Sequence, residues 1–236
     1  MMGGNILLSV LEHVRRRTAE RPLVIFDLDS TLFSTRHRSY QILLEAGRLH
    51  PALAEAVAKL RPDELGWWFH EDVREAGVAD ENLLDQLLAF WQERFFTNEY
   101  LAYDQPMPGA VDYVRRVFDA GATICYLTGR DYPNMKEGTV AGLLRHQFPY
   151  EDTRVALIMK EKFETPDEEH KRNAVECIRG LGEVVAAFDN EPELVNLMAD
   201  SFPEAVIVWF HSIHSPTDIV PYPSVKRIAS FEMDGT

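Results

Sequence analysis

The sequence is short of three things: cysteine, positive charge and long apolar runs. Its two cysteines among 236 residues, Cys125 and Cys177, exclude a disulfide framework. Each sits in an apolar or helical pattern that reads as a buried thiol in a reducing compartment. Lysine and arginine total 24 against 38 acids, a formal charge of −14, which disfavours a general surface for nucleic acid or anionic lipid. No apolar stretch reaches the roughly 18 residues of a membrane span. The first ten residues lack a basic leader, and Arg15-Arg16-Arg17 follows the short apolar stretch instead of preceding it, unlike a secretory signal. The expectation is a cytoplasmic protein with no membrane partner.

What is present is apolar residue enough, 46%, to bury the core of one to two domains. Five short runs, residues 23–26, 122–127, 155–159, 184–188 and 205–210, are continuous and rich in Val, Ile and aromatics, as strands buried on both faces are. Between the last four lie helical stripes: Ala110, Val111, Val114, Val117 and Phe118; then Val140, Leu143, Leu144 and Phe148; then Ala174, Val175, Ile178 and Leu181. Alternating strand and helix predicts an α/β fold with a parallel sheet covered on both faces. Residues 33–105 break the rhythm. They hold helical patterns such as Leu83, Leu84, Leu87, Leu88, Trp91 and Phe95, and a structureless loop of that length does not suit a compact domain. The expected division is therefore a core of residues 1–32 and 106–236 with an inserted all-helical domain over 33–105. Within the insert, only the Trp67-Trp68-Phe69-His70 cluster is a candidate for facing a ligand. The tail from His211, with Pro216, Pro221 and Pro223, reads as an irregular extension over the core.

The chemistry lies at strand ends. The first run leads into Asp27-Leu28-Asp29-Ser30-Thr31; residues two apart on extended backbone point the same way, so Asp27 and Asp29 project together from the carboxyl edge, where ligands of open parallel sheets bind. Two carboxylates followed by two hydroxyls suggest a metal, a nucleophile and an acid/base. The second run ends Thr128-Gly129-Arg130-Asp131. A hydroxyl, a glycine allowing close backbone approach and a following helix N-terminus suit a phosphate. The fourth run ends Asp189-Asn190-Glu191-Pro192-Glu193, another carboxylate at the same edge, with Pro192 suited to a first helical turn. Lys160 closes the third run, and Lys171 lies one helix before Asp189.

In this order the motifs resemble the haloacid dehalogenase superfamily of phosphohydrolases: Asp27-x-Asp29-x-Thr31, a helical insert, Thr128, a lysine, then Asp189 with Glu193. The resemblance implies a Rossmann-like sheet, its five runs in the order 3-2-1-4-5, and a helical C1-type cap. It implies Asp27 as nucleophile, Asp29 as general acid/base, and Thr128 with a lysine on the phosphoryl oxygens. Lys171 and Lys160 compete for that lysine, and spacing to Asp189 favours Lys171. Mg²⁺ would sit among Asp27, Asp29 through its carbonyl, and Asp189, with Asn190 and Glu193 beside it. Asn190 departs from the second aspartate of many relatives. Substrate contacts fall to Ser30, Thr31, Gly129, Arg130 and Lys160, with Arg130, Asp131, Trp67 and Trp68 as candidates for the leaving group.

The second aspartate separates phosphatases from true dehalogenases, so the expected activity is Mg²⁺-dependent hydrolysis of a small phosphorylated metabolite through phospho-Asp27. Three rivals remain at this stage. One is a phosphotransferase or mutase. Another is a nucleic-acid 3′-phosphatase, because the stretch from Met159 to Lys171 is similar to the phosphatase domain of polynucleotide kinases. The third is a non-catalytic phosphate-binding module. The negative charge weighs against a nucleic-acid partner.

Overall fold

A computed structural model describes residues 2–17 and 21–233. Eight strands run among them: β1 (Pro22–Phe26), β2 (Phe33–Ser34), β3 (Gln105–Pro106), β4 (Thr123–Asp131), β5 (Val155–Lys160), β6 (Glu183–Asp189), β7 (Val206–Phe210) and β8 (Lys226–Ile228). The helices are α1 (Met2–Arg16), α2 (Arg36–Leu49), α3 (Pro51–Val57), α4 (Phe69–Glu75), α5 (Glu81–Phe95), α6 (Ala110–Asp119), α7 (Tyr132–Arg145), α8 (Asp167–Leu181) and α9 (Pro192–Ser201). The short β2 and β3 pair with each other, and the other six strands form one sheet in the order β5-β4-β1-β6-β7-β8, parallel throughout. The fold is α/β and Rossmann-like. The five runs of the sequence take the expected order, with β8 added at one edge.

Alternation along each strand sorts the core into two layers. Val24 and Phe26 of β1 face Leu7, Val10, Leu11 and Val14 of α1 and Tyr113, Val114 and Val117 of α6. Leu23 and Ile25 face the other way, onto Ala174, Val175 and Ile178 of α8 and Val195 and Met198 of α9. Both sheet faces are thus covered, which is why the strands read as continuous apolar runs.

The tail differs from the irregular extension expected of it. Its Lys226–Ile228 segment pairs with β7, and Phe231, 1% exposed, stacks on Phe210 at 4.8 Å between ring centroids. Three prolines conceal one strand residue and one aromatic that are buried. Gly109 makes this closure possible: its φ is +76°, and an added Cβ would meet the Phe231 carbonyl carbon and the Glu232 nitrogen at 2.5 Å. Residues 234–236 of the tail lie outside the described residues.

The chain divides into two compact units, one over Met1–Phe33, Pro106–Pro133 and Leu143–Thr236, the other over Ser34–Gln105 and Asn134–Gly142. The second therefore takes in part of α7, a segment that the sequence pattern gives to the core. Its own core joins Leu43 and Ala46 of α2, Leu53 and Val57 of α3, Val73 of α4 and Leu83, Leu84 and Leu87 of α5. Beside that core Arg38 is fully buried, held by the Asp104 carboxylate at 2.8 and 2.6 Å and lying over the Phe95 ring at 4.3 Å. Asp80 starts α5 by accepting from the Leu83 amide at 3.3 Å, an N-cap. No helix among the described residues is long and apolar enough to cross a membrane.

Cys125 is buried on β4 while Cys177 is exposed on α8, so the pair is not uniformly buried as its sequence context suggests. Burial pushes the Cys125 thiol up to about 12, which leaves it without thiolate at neutral pH. A disulfide reagent at pH 8 is expected to modify one thiol in the native chain and the second only in denaturant; two fast native thiols would contradict this burial. Gly109→Ala adds strained backbone and a steric clash, and urea unfolding is expected to show a loss of about 1–3 kcal/mol. An unchanged midpoint would mean that the tail does not close on Gly109.

Candidate active site

Strand register builds the site. Phe26 of β1 lies opposite Phe188 of β6, and the Asp27 amide donates to the Phe188 carbonyl at 3.0 Å, so Asp27 and Asp189 are neighbours at the carboxyl edge. By the alternation of each strand they share the parity of Ile25 and Ala187, whose layer packs on α8. Along α8 the buried residues are Lys171, Ala174, Val175 and Ile178. This is one helical stripe, and Lys171 is its member nearest the N-terminus.

The result is a buried trio. Lys171 Nζ donates to Asp27 Oδ1 at 2.7 Å and to Asp189 Oδ2 at 2.6 Å, and all three residues are at most 5% exposed. Two carboxylates share one ammonium, so with both ionised the trio would hold one excess negative charge away from water. Burial pushes the Asp27 carboxyl up to about 8, against the pull of Lys171 and with the push of Asp189. Burial opposes charge on Lys171 too, but the two carboxylates outweigh it and hold the ammonium protonated.

Around the trio the structure sorts the remaining candidates. Asp29 is one-third exposed and receives the Arg130 guanidinium, with Nε at 2.9 Å and Nη2 also bonded. Ser30 sits at φ +59° in a turn where its amide donates to the Phe33 carbonyl at 2.7 Å. Thr31 is buried, and its hydroxyl donates to Asn190 Oδ1 at 3.2 Å. Thr128 is 1% exposed, and its hydroxyl accepts from the Arg130 amide at 3.2 Å.

The Thr128-Gly129-Arg130 segment is not the strand-to-helix turn that its composition suggests. It lies within β4, between the rungs Leu127–Ile158 and Asp131–Lys160 where the register shifts, and α7 begins only at Tyr132. A bulge, rather than a helix N-terminus, re-aims these side chains.

Lys160 is held apart from the trio, donating to the Asp167 carboxylate at 2.9 Å and the Phe163 carbonyl at 3.2 Å. Gly129 backs onto the same Asp167, whose Oδ2 lies 2.1 Å from where a Cβ would stand. Of the two lysines, then, Lys171 is the one beside Asp27 and Asp189. Asp131 is buried. Trp67 and Trp68 belong to the helical unit and are 43% and 52% exposed. Glu193 is exposed in the first turn of α9 and is not brought to the trio. The carboxylate that turns inward is Glu191, which accepts from the Ser215 amide at 3.1 Å and from its hydroxyl. Burial pushes the Glu191 carboxyl up, against those hydrogen bonds. Pro192 at the start of α9 carried the signal for this, because it makes Glu191 the cap and places Glu193 inside the first turn.

The donor set suits a hard divalent ion. Asp27 and Asp189 supply carboxylate oxygens next to each other, and Mg²⁺ needs only one or two carboxylates when water and phosphate complete its shell. Among the described residues no group of three His, Cys, Asp or Glu side chains is placed to hold a metal, so such an ion would depend on those two carboxylates with backbone oxygen and water.

A protein-family model described as haloacid dehalogenase-like hydrolase matches residues 22–193. No curated protein matches the sequence significantly. Among solved structures, the chain is similar to protein tyrosine kinase A of Mycobacterium tuberculosis, at 17% identity and TM-score 0.54 over 89% of this chain and 94% of that one. A Burkholderia xenovorans LB400 protein assigned as a haloacid dehalogenase-like hydrolase gives 15% and 0.54 over 90% and 94%. A superfamily hydrolase of subfamily IA from Geobacter sulfurreducens PCA gives 12% and 0.51 over 89% and 92%. At these identities the likeness is one of fold.

Removing Lys171 strands two buried carboxylates. Lys171→Ala is expected to cost about 3–5 kcal/mol in urea unfolding. Lys160→Ala, which breaks a pair with a half-exposed partner, should cost under about 1 kcal/mol. Equal costs would show that the trio is not buried as described.

Proposed function

The chain belongs to the haloacid dehalogenase-like hydrolase family, and on that premise we propose that it is a Mg²⁺-dependent phosphatase of small phosphate monoesters working through phospho-Asp27. The observation that carries this reading is the buried Asp27–Lys171–Asp189 trio at the carboxyl edge of the sheet. A nucleophilic carboxylate there needs positive charge to stay ionised and to admit a phosphate dianion. Two unit charges 4 Å apart interact by about 4 kcal/mol at an effective dielectric of 20, and one ammonium does not offset two carboxylates and a substrate. Mg²⁺ held by Asp27, the Asp29 carbonyl and Asp189 would supply the missing charge.

In the first step Asp27 attacks phosphorus in line with the leaving oxygen. The bond from phosphorus to that oxygen breaks, its electron pair leaves with the alkoxide, and Asp29 in its acid form gives the proton that makes the alcohol. In the second step Asp29, now a carboxylate, takes a proton from water as the water oxygen attacks phosphorus. The Asp27–phosphorus bond breaks, releasing inorganic phosphate and restoring both aspartates. Lys171 and Thr128 bind the phosphoryl oxygens, and the fixed strand ends provide positioning. Arg130 orients Asp29 between the steps. The formal charge of −14 favours a compact phosphate ester over a long polyanion.

Hydrolysis of an aryl phosphate is expected to require Mg²⁺ and to stop with a chelator. Asp27→Asn should lower kcat by at least about a thousandfold, and Lys171→Ala should lower it far more than Lys160→Ala. Full activity of Asp27→Asn would overturn the mechanism.

A further inference from the structure

Asn190 stands directly after Asp189, where an acid would add a metal ligand, yet its side chain is committed elsewhere. It is 3% exposed. Its Oδ1 accepts from the Thr31 hydroxyl at 3.2 Å, and its Nδ2 donates to the Ile213 carbonyl at 2.8 Å and to Glu191 at 3.3 Å. Its backbone carbonyl accepts from Trp209 Nε1 at 2.8 Å. A carbonyl can only accept, so Ile213 fixes which end of the amide faces it. An aspartate could satisfy Thr31 but would set oxygen against oxygen at Ile213.

The same segment reaches the first motif. The Ser212 hydroxyl donates to the Ser30 carbonyl and lies 3.3 Å from the Ile213 carbonyl. Ser215 is bound to Glu191 by its amide and its hydroxyl. Residues 212–215 therefore fasten the turn after β1, which carries Asp27 and Asp29, to the turn directly after Asp189 at the end of β6.

We propose that Asn190 and Ser212 form a cross-brace that fixes those two turns against each other, and that Asn190 is a positioning residue rather than a metal ligand. The inference deepens the phosphatase reading and rests on it for its kinetic arm. The brace explains the departure at position 190: the amide supplies a donor that a carboxylate lacks. It also gives the tail a function. Asp27 and Asp29 follow β1 while Asp189 ends β6, so these two strand ends must hold their spacing through both steps, and small misplacements cost large factors in rate.

The test compares Asn190→Asp and Ser212→Ala with the native chain by three measurements: Mg²⁺ binding by calorimetry, aryl-phosphate kinetics and amide hydrogen exchange. Both variants should lower kcat roughly tenfold or more, with KM changed less than about twofold and Mg²⁺ affinity not raised, and the double variant should fall short of the product of the two losses. Exchange should rise at the amides of residues 30–33 and 212–215 and not in α6. Tighter Mg²⁺ binding by Asn190→Asp with native kcat would make residue 190 a metal ligand and overturn the proposal. Unchanged exchange in both variants would also overturn it. If the native chain hydrolyses no phosphate ester, the phosphatase reading fails by itself, and the exchange arm still decides the brace.

Discussion

One ammonium group shared by two buried carboxylates sets the conditions for everything at the carboxyl edge of the sheet. Parallel pairing of β1 with β6 puts Asp27 beside Asp189, an arrangement that like charges in a dry setting would oppose. Lys171 makes it tolerable, and it reaches the site because it occupies the N-terminal place in the stripe that α8 buries. The residues that hold α8 on the sheet, Ala174, Val175 and Ile178, therefore also aim the lysine. Core packing and active-site geometry share the same helical phase, so neither can change without the other.

The trio is also incomplete in charge, and that gives it chemical use. Ionising Asp27 beside Asp189 with a single ammonium calls for another cation, and the oxygen-only donors define which kind. Arg130 gives Asp29 a cation of its own, so the two carboxylates of one short motif face different electrostatic settings and can take different roles.

Much of this was legible in the sequence, because strands buried on both faces leave continuous apolar runs and the acids follow those runs directly. The edge holding Asp27, Thr128 and Asp189 came from that pattern, and the order of the five strands from the family the motifs resemble. The choice between Lys160 and Lys171 stayed open because spacing gives the length of α8 but not the direction of each side chain; the apolar residues 174, 175 and 178 settle the phase. Glu193 entered through the family motif, and the place of Glu191 as the residue capping α9 was readable from Pro192. The bulge at Thr128–Arg130 had no signal beyond one glycine. Strand β8 is only three residues, two of them charged and exposed, so its pairing depends on the tertiary environment of Ile228 and Phe231.

The path of the chain through this core has a consequence for its biosynthesis. Helix α1, at the start of the described chain, packs against β8 near its end, and both belong to the layer completed by Phe231. Contacts so distant in sequence carry a large loop-closure cost that is recovered only when both partners are present. During translation, α1 and the strands that follow it emerge long before their last partner does. Until the segment carrying Ile228 and Phe231 is made, the layer of α1 and α6 lacks two of its apolar members, and exposed apolar surface of that kind invites association.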